Sequence, residues 1–282
     1  MMQTNFSPGN ISANQVERVV PNALQDFRCG PSVLRASRSP FHCIDPYRLS
    51  LHVGFANGGP VCKLRPMNIA IIGAGNVGGA LGKGWAKAGH SIIFGVRDPV
   101  AGKTRPPILE IGRAASSLAV PDAVRQAAVI VLATPWNAVP EVIKAMGEVR
   151  GKIIIDCTNP LFLNAEGSLS LAVGSTTSGA EEIAQMAPGA RVAKAFNTYG
   201  WENFADSSYP GYGDAKPVMF YCSDDDEAKE IVEKLAADLG FEPVDTGGLG
   251  MARSLEPLAL LWIRLAVRRG RNPNFTWAMM KR

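Results

Sequence analysis

Gly73, Gly75 and Gly78 fall at the spacing Gly-x-Gly-x-x-Gly within Gly73-Ala74-Gly75-Asn76-Val77-Gly78, directly after the apolar run Ile69 to Ile72. The turn opens an Ala/Gly-rich segment, Gly79 to Ala88, that reads as a helix. Each glycine has its own task in such a turn: a tight reversal, close approach of the backbone to a pyrophosphate, and close packing of helix on strand. Phosphates then lie at a helix N-terminus, where backbone N–H groups have no intrahelical acceptors. The glycine spacing alone is common, but strand, turn and helix in that order specify a dinucleotide-binding turn.

The next strand, Ser91 to Gly95, leads into Val96 and Arg97. An NAD enzyme usually places a carboxylate here to hold the ribose hydroxyls. Arginine instead offers a planar, doubly donating partner to a ribose 2'-phosphate, so this position favours NADP. Asp98, Lys103 and Arg105 share the loop, and a solvated Arg-Asp turn is the alternative account of the same residues.

Chemistry beyond binding must come from the loops that follow the other strands. These carry Thr134-Pro135-Trp136, Cys157-Thr158-Asn159-Pro160 and Asn197-Thr198-Tyr199, and ligands of an open parallel sheet sit outside the carboxyl ends of its strands. Trp136 and Tyr199 suit the flanks of a planar ring, or equally a packed core. Lys194 and Asn197 form a Lys-x-x-Asn pair able to hydrogen-bond a substrate carbonyl or steer a proton; a surface lysine and a turn asparagine are the plain alternative. His90 is the one histidine after the glycine turn, between the first helix and second strand. That position disfavours a Ser-His-Asp hydrolase, and no HExxH or Cys/His cluster points to a catalytic metal. Hydride transfer fits such a residue set, because the cofactor supplies the reactive carbon while the protein aligns two rings and excludes water.

The elements needed to hold these loops are legible as alternating apolar runs and helical segments. Strands are predicted at Ala128 to Ala133, Lys152 to Asp156, Arg191 to Phe196, Pro217 to Cys222 and Phe241 to Asp245. Helices are predicted at Val139 to Met146, around Glu181 to Gln185, after Ser223-Asp224-Asp225-Asp226, and from Ser254 onward. The three consecutive aspartates fit a helix N-terminus, where they satisfy free N–H groups and oppose the dipole, better than a metal site. This α/β alternation predicts a Rossmann-type, doubly wound and mainly parallel sheet with helices on both faces and a small C-terminal α/β extension.

Composition sets the bounds. The chain has 282 residues with a net charge of +4, enough for one or two domains. Seven basic and three acidic residues precede Met67, so the whole excess lies there and the remainder is neutral. The folded part therefore lacks a basic nucleic-acid footprint, and the acid-free cluster from Arg264 to Arg282 reads as a charged helix end and tail. No apolar stretch approaches the roughly 20 residues of a membrane span. Residues 1–66 show no sustained periodicity and are read as an extension or a start placed too early, with an organelle transit segment as rival; Met67 stands directly before the first strand. The expected divisions are 67–198 for the nucleotide-binding domain and 199–282 for a smaller part completing the cleft. Five cysteines without zinc spacing suggest reduced thiols and a cytoplasmic protein, with Cys157 and Cys222 as small buried hydrophobes.

With the glycine turn, Val96-Arg97, Thr-Pro-Trp, Asp-Cys-Thr-Asn-Pro-Leu, Ala-Lys-Ala-Phe-Asn-Thr and Cys-Ser-Asp-Asp-Asp in this order, the chain resembles the deazaflavin (F-420)-dependent NADP oxidoreductase family from Met67 nearly to its end. The resemblance implies a Rossmann fold with NADP contacts at Gly73, Ala74, Gly75, Asn76, Val77, Gly78, Val96, Arg97, Trp136, Pro140, Leu161 and Trp201. It also implies a deazaflavin beside Asn197 and Tyr199, with Asn159 in the neighbouring loop. Val96 stands where the family has serine, Asn197 where histidine can occur, and Lys194 where the family has a smaller residue.

The expected activity is hydride transfer between NADP(H) and a planar acceptor such as deazaflavin F-420 or a flavin, with Lys194 and Asn197 as the candidate catalytic pair. An imine or hydroxy-acid reductase using the same pair is the alternative, and a non-catalytic NADP-binding sensor is the alternative of another class. The expected partner is a small-molecule acceptor, without nucleic acid or membrane. A homodimer through Leu258 to Leu265 competes with packing of that stretch on its own sheet.

Overall fold

A computed structural model describes residues 52–56, 59–63, 66–99, 105–270 and 272–282. Lys103, Cys29, Cys43 and most of the expected extension lie outside them. In the part of the extension that is described, β1 (His52–Ala56) and β2 (Gly59–Lys63) pair as an antiparallel hairpin.

The main sheet begins with β3 (Asn68–Ile72), which turns into α1 (Asn76–Lys87) and returns as β4 (Ser91–Val96). It continues through α2 (Arg105–Ile111), β5 (Ala115–Ala119), α3 (Val120–Gln126), β6 (Val129–Leu132), α4 (Val139–Met146) and β7 (Ile153–Asp156). A hairpin of β8 (Leu161–Leu163) and β9 (Leu169–Leu171) precedes α5 (Gly179–Met186) and β10 (Arg191–Lys194). Then come α6 (Glu202–Ala205), β11 (Val218–Ser223), α7 (Asp226–Asp238), β12 (Glu242–Asp245) and α8 (Ala252–Arg268).

Eight strands join in the order β12-β11-β10-β7-β6-β3-β4-β5. Every neighbouring pair is parallel except β10 with β11, so β11 and β12 run against the rest. The small C-terminal α/β extension thus continues the sheet of the nucleotide-binding half. The central strands are apolar along their whole length because both faces are covered: β6 is Val-Ile-Val-Leu with each residue buried. Leu81 and Trp85 of α1, with Leu235 of α7 and Trp262 of α8, pack on one face. Val124 of α3, Ile143 of α4 and Ile183 of α5 pack on the other.

Residues Arg105 to Gln126, which carry no strong period, contain α2, β5 and α3. β5 is Ala-Ser-Ser-Leu-Ala, and its extended form comes from edge pairing with β4. Asp225 caps α7 by accepting from the Ala228 N–H at 2.8 Å, the role its position before the helix predicts. Among the described residues no helix is long and apolar enough to cross a membrane.

Candidate active site

The strand order reverses between β3 and β6. From β3 the chain proceeds outward to β4 and β5, then crosses back to β6 on the other side. Such a reversal opens a crevice at the carboxyl ends of the two strands. A cleft of about 450 Å³ lies there, lined by Gly73, Ala74 and Gly75 after β3, Val96 and Arg97 after β4, and Thr134 and Pro135 after β6.

The glycine turn combines two crowded positions with one open one. Gly73 has φ of +110°, and a Cβ at that position would lie 2.5 Å from the Ala133 carbonyl oxygen. Gly78 packs so closely on the turn that a Cβ would lie 2.0 Å from the Gly73 carbonyl oxygen. A Cβ on Gly75 would meet nothing within 4 Å, which leaves open space where a pyrophosphate would approach. Gly75 is also the N-cap of α1 and supplies no side-chain acceptor to the first turn, whose N–H groups remain for an anion. Asn76 is exposed and Val77 half-buried in that turn, while Arg97 is exposed at the rim. These features fit a dinucleotide carrying an additional phosphate on the β4 side.

The second half of the site lies at the ends of β7 and β10, which pair in parallel with Asp156 opposite Lys194. Lys194 is fully buried, which overturns the surface alternative. Its ammonium donates to Asp156 Oδ2 at 2.8 Å and to the Thr158 carbonyl at 2.6 Å, and lies 2.9 Å from Glu256 Oε1. Burial, the largest single influence, opposes its charge, but the two carboxylates outweigh burial and raise its pKa. With three protons committed and no exposed surface, Lys194 holds the loop after β7 and is not a group that meets substrate. The expectation of a proton-steering lysine is corrected on that ground.

Asn197 is buried. Its Nδ2 donates to Asn159 Oδ1 at 3.0 Å and to the Leu255 carbonyl at 3.2 Å, and Asn159 Nδ2 returns a bond to the Asn197 carbonyl at 2.9 Å. Asn197 Oδ1 has no partner, nor do the hydroxyls of Thr134, Thr158 and Thr198. Four of the six unpartnered buried side-chain polar atoms among the described residues thus follow β6, β7 and β10, although buried polar groups otherwise find partners. Phe196, just before Asn197, has φ of +57°. Trp85 and Phe204 hold it there through edge-on ring contacts with centroids at 5.4 and 6.2 Å. A bulky residue in that region costs on the order of 1–3 kcal/mol, and the surrounding aromatic packing sustains it.

Tyr199 departs from the expected role. It is buried, stacks on Phe241 with centroids 5.6 Å apart, and donates its hydroxyl to the Val218 carbonyl. Burial pushes its pKa up. The ring is core and does not flank a bound cofactor. Trp136 is half-buried in the short helical turn before α4, with Gly179 close by. Pro140 is exposed in the first turn of α4, Leu161 half-exposed in β8, and Trp201 40% exposed at the head of α6. None of these four lines the cleft beside the glycine turn.

Asp156 and Glu256 were not singled out in the sequence. Asp156 closes a predicted strand; Glu256 lies within an apolar helical pattern with no local sign of burial.

Residues 68–160 match the family model described as NADP oxidoreductase, coenzyme F420-dependent. A solved structure from Arthrobacter sp. FB24, provisionally assigned as an F420-dependent NADP-reductase, is 31% identical over 76% of this chain and all of that one, with a TM-score of 0.69. The chain belongs to the F420-dependent NADP oxidoreductase family. Among its curated relatives, the metalloreductase STEAP3 of Rattus norvegicus is 29% identical over 197 residues, which are 68% of this chain and 37% of that protein. The chain therefore spans little more than a third of the length of the curated relatives it matches. A reductive aminase from Aspergillus terreus, solved with NADPH and ethyl levulinate, is 22% identical over 73% of this chain and 64% of its own, with a TM-score of 0.53. At that identity it shares the family's fold and nothing finer.

Proposed function

We propose that this family member binds NADP(H) and passes a hydride between its nicotinamide and a planar acceptor, a deazaflavin or a flavin. The carrying observation is a cleft at the strand reversal that joins a glycine turn, an unblocked helix N-terminus and Arg97. When bound, the dinucleotide supplies the hydride-donating carbon. The chain's own contribution is orientation. Gly73 to Gly78 hold the pyrophosphate against α1, and Arg97 takes the 2'-phosphate through charge-assisted hydrogen bonds. Asn197, its amide nitrogen committed to Asn159 and Leu255, keeps a buried, unpartnered Oδ1 at the end of β10, and this atom is assigned as the acceptor for an N–H group of the ring. The Thr158 and Thr198 hydroxyls supply further donors and acceptors in the same loops.

The imine or hydroxy-acid alternative loses the proton donor it relied on, because Lys194 is enclosed by Asp156, Thr158 and Glu256. NADPH oxidation followed at 340 nm with deazaflavin F-420, free flavin, a quinone, a ferric chelate and a cyclic imine in parallel tests the reading. Turnover with deazaflavin or flavin supports it. Turnover with the imine alone transfers the reading to the alternative, and NADPH binding without oxidation by any acceptor transfers it to a sensor.

A further inference from the structure

Glu256 sits one turn into α8 and is 1% exposed. Its carboxylate accepts from the Gly179 N–H at 3.0 Å and the Ala180 N–H at 3.2 Å, and pairs with Lys194 Nζ at 2.9 Å. Two buried carboxylates and one ammonium leave one unbalanced negative charge. The N-terminus of α5 provides the compensating partial positive charge. A buried acid in such a setting is costly unless every oxygen is paired, and Glu256 meets that condition through two different elements.

What the cluster accomplishes is visible in its connections. Asp156 Oδ1 accepts from the Thr158 N–H at 2.8 Å, while Lys194 takes the Thr158 carbonyl. Both backbone groups of Thr158 are thereby fixed by buried side chains, immediately before Asn159, whose side chain is exchanged with Asn197. Leu255, the residue next to Glu256, supplies the carbonyl that accepts the second Asn197 proton. One dipeptide of α8 therefore reaches Asn197 along two routes: directly through Leu255, and through Glu256, Lys194, Thr158 and Asn159.

We infer that Glu256 is a positioning residue for the reaction: it anchors the first turn of α8 to Lys194 and α5 so that Asn197 presents its unpaired Oδ1 in one orientation. This rests on the proposed role of Asn197 at the hydride-transfer site. The dinucleotide's phosphates are held by β3, α1 and β4, none of which Glu256 touches, so its loss acts on turnover and spares cofactor affinity.

The test compares Glu256→Gln, Glu256→Asp and Asn197→Ala, singly and with Asn197→Ala combined with Glu256→Gln, in the acceptor panel above. Glu256→Gln is expected to lower kcat on the order of 10- to 100-fold, with the NADPH dissociation constant unchanged within about 3-fold and partial recovery in Glu256→Asp. In the Asn197→Ala background the same substitution is expected to have little further effect. Equal kcat for wild type and Glu256→Gln, or a full loss persisting in the Asn197→Ala background, overturns the inference. Where Glu256→Gln does not fold, Glu256→Asp carries the same comparison. Should the wild type oxidise NADPH with no acceptor, it is the proposed function that fails. Positioning is then read from hydrogen exchange of the Asn197 side-chain amide, slow in the wild type and accelerated in the Glu256 variants; unchanged exchange overturns it.

Discussion

Arg97 is the residue to which the proposed function assigns nucleotide choice. It is exposed at the end of β4 and lines the same cleft as Gly73 and Gly75, so it is free to reach a phosphate that only NADP carries. Charge-assisted hydrogen bonds contribute about 1.5–3 kcal/mol each. Arg97→Ala is therefore expected to weaken NADPH binding about 10- to 100-fold while changing NADH by less than about 3-fold, measured by fluorescence titration; equal losses for both nucleotides remove arginine from that role. Lys194 carries the opposite lesson. Its type and spacing suggested a proton donor, yet the fold encloses it between Asp156, Thr158 and Glu256, and its charge serves to hold backbone in place.

At the level of elements, the strand-turn-helix unit β3-α1 separates binding from folding in a way two glycines can demonstrate. A methyl group on Gly75 enters open space, whereas one on Gly78 collides with the Gly73 carbonyl. Gly75→Ala is expected to leave the thermal midpoint within about 2 °C of wild type and still lose NADPH affinity, since its Cβ occupies the approach of the pyrophosphate. Gly78→Ala is expected to lose both, with destabilisation of about 1–3 kcal/mol from overpacking. Matched melts and NADPH titrations check the pair, and a Gly75→Ala protein that binds normally would argue against phosphate at this turn. The cap of α7 offers a smaller effect: Asp225→Ala removes the acceptor for the Ala228 N–H and should cost about 1 kcal/mol in urea unfolding, without altering nucleotide binding.

Across the whole molecule, burial of two thiols and a tyrosine, together with the ion pairs around Lys194, makes stability fall at high pH. Burial pushes the Cys222 thiol up to about 12 and the Cys157 thiol well above its usual range. Tyr199 is raised by burial, and Lys194 by its two carboxylates against the opposing effect of burial. All four shifts have the same sign. The folded chain keeps protons that the unfolded chain releases, so this stability is complete below the unfolded pKa values and is lost as pH rises. For the thiols the loss begins near pH 8.5, and for tyrosine and lysine near pH 10, at about 1.4 kcal/mol per pH unit for each group. Thermal midpoints measured from pH 7 to 11 are expected to fall from about pH 8.5 upward, and Cys222→Val is expected to reduce the slope of that fall. An unchanged slope would show that Cys222 does not contribute.

The glycine turn, the position of Arg97 after β4 and the central strands were legible in the sequence because local rules fix them: glycine where backbone crowds, apolar residues along strands covered on both faces, aspartates at the head of α7. β5 was not, since Ala-Ser-Ser-Leu-Ala becomes a strand only by pairing with β4. Tyr199, read as ring flank or core, and Lys194, read as proton-steering or surface, stayed undecided for a related reason. Residue type and position after a strand do not say which way a side chain turns, and that depends on Phe241 beside one and Asp156 and Glu256 around the other. Local residue pattern was enough to put a Gly-x-Gly-x-x-Gly turn ahead of an arginine at the end of the next strand. That Glu256, about sixty residues along the chain from Lys194, meets it at 2.9 Å emerges only on folding, because a buried charge is specified by partners brought within reach by the fold.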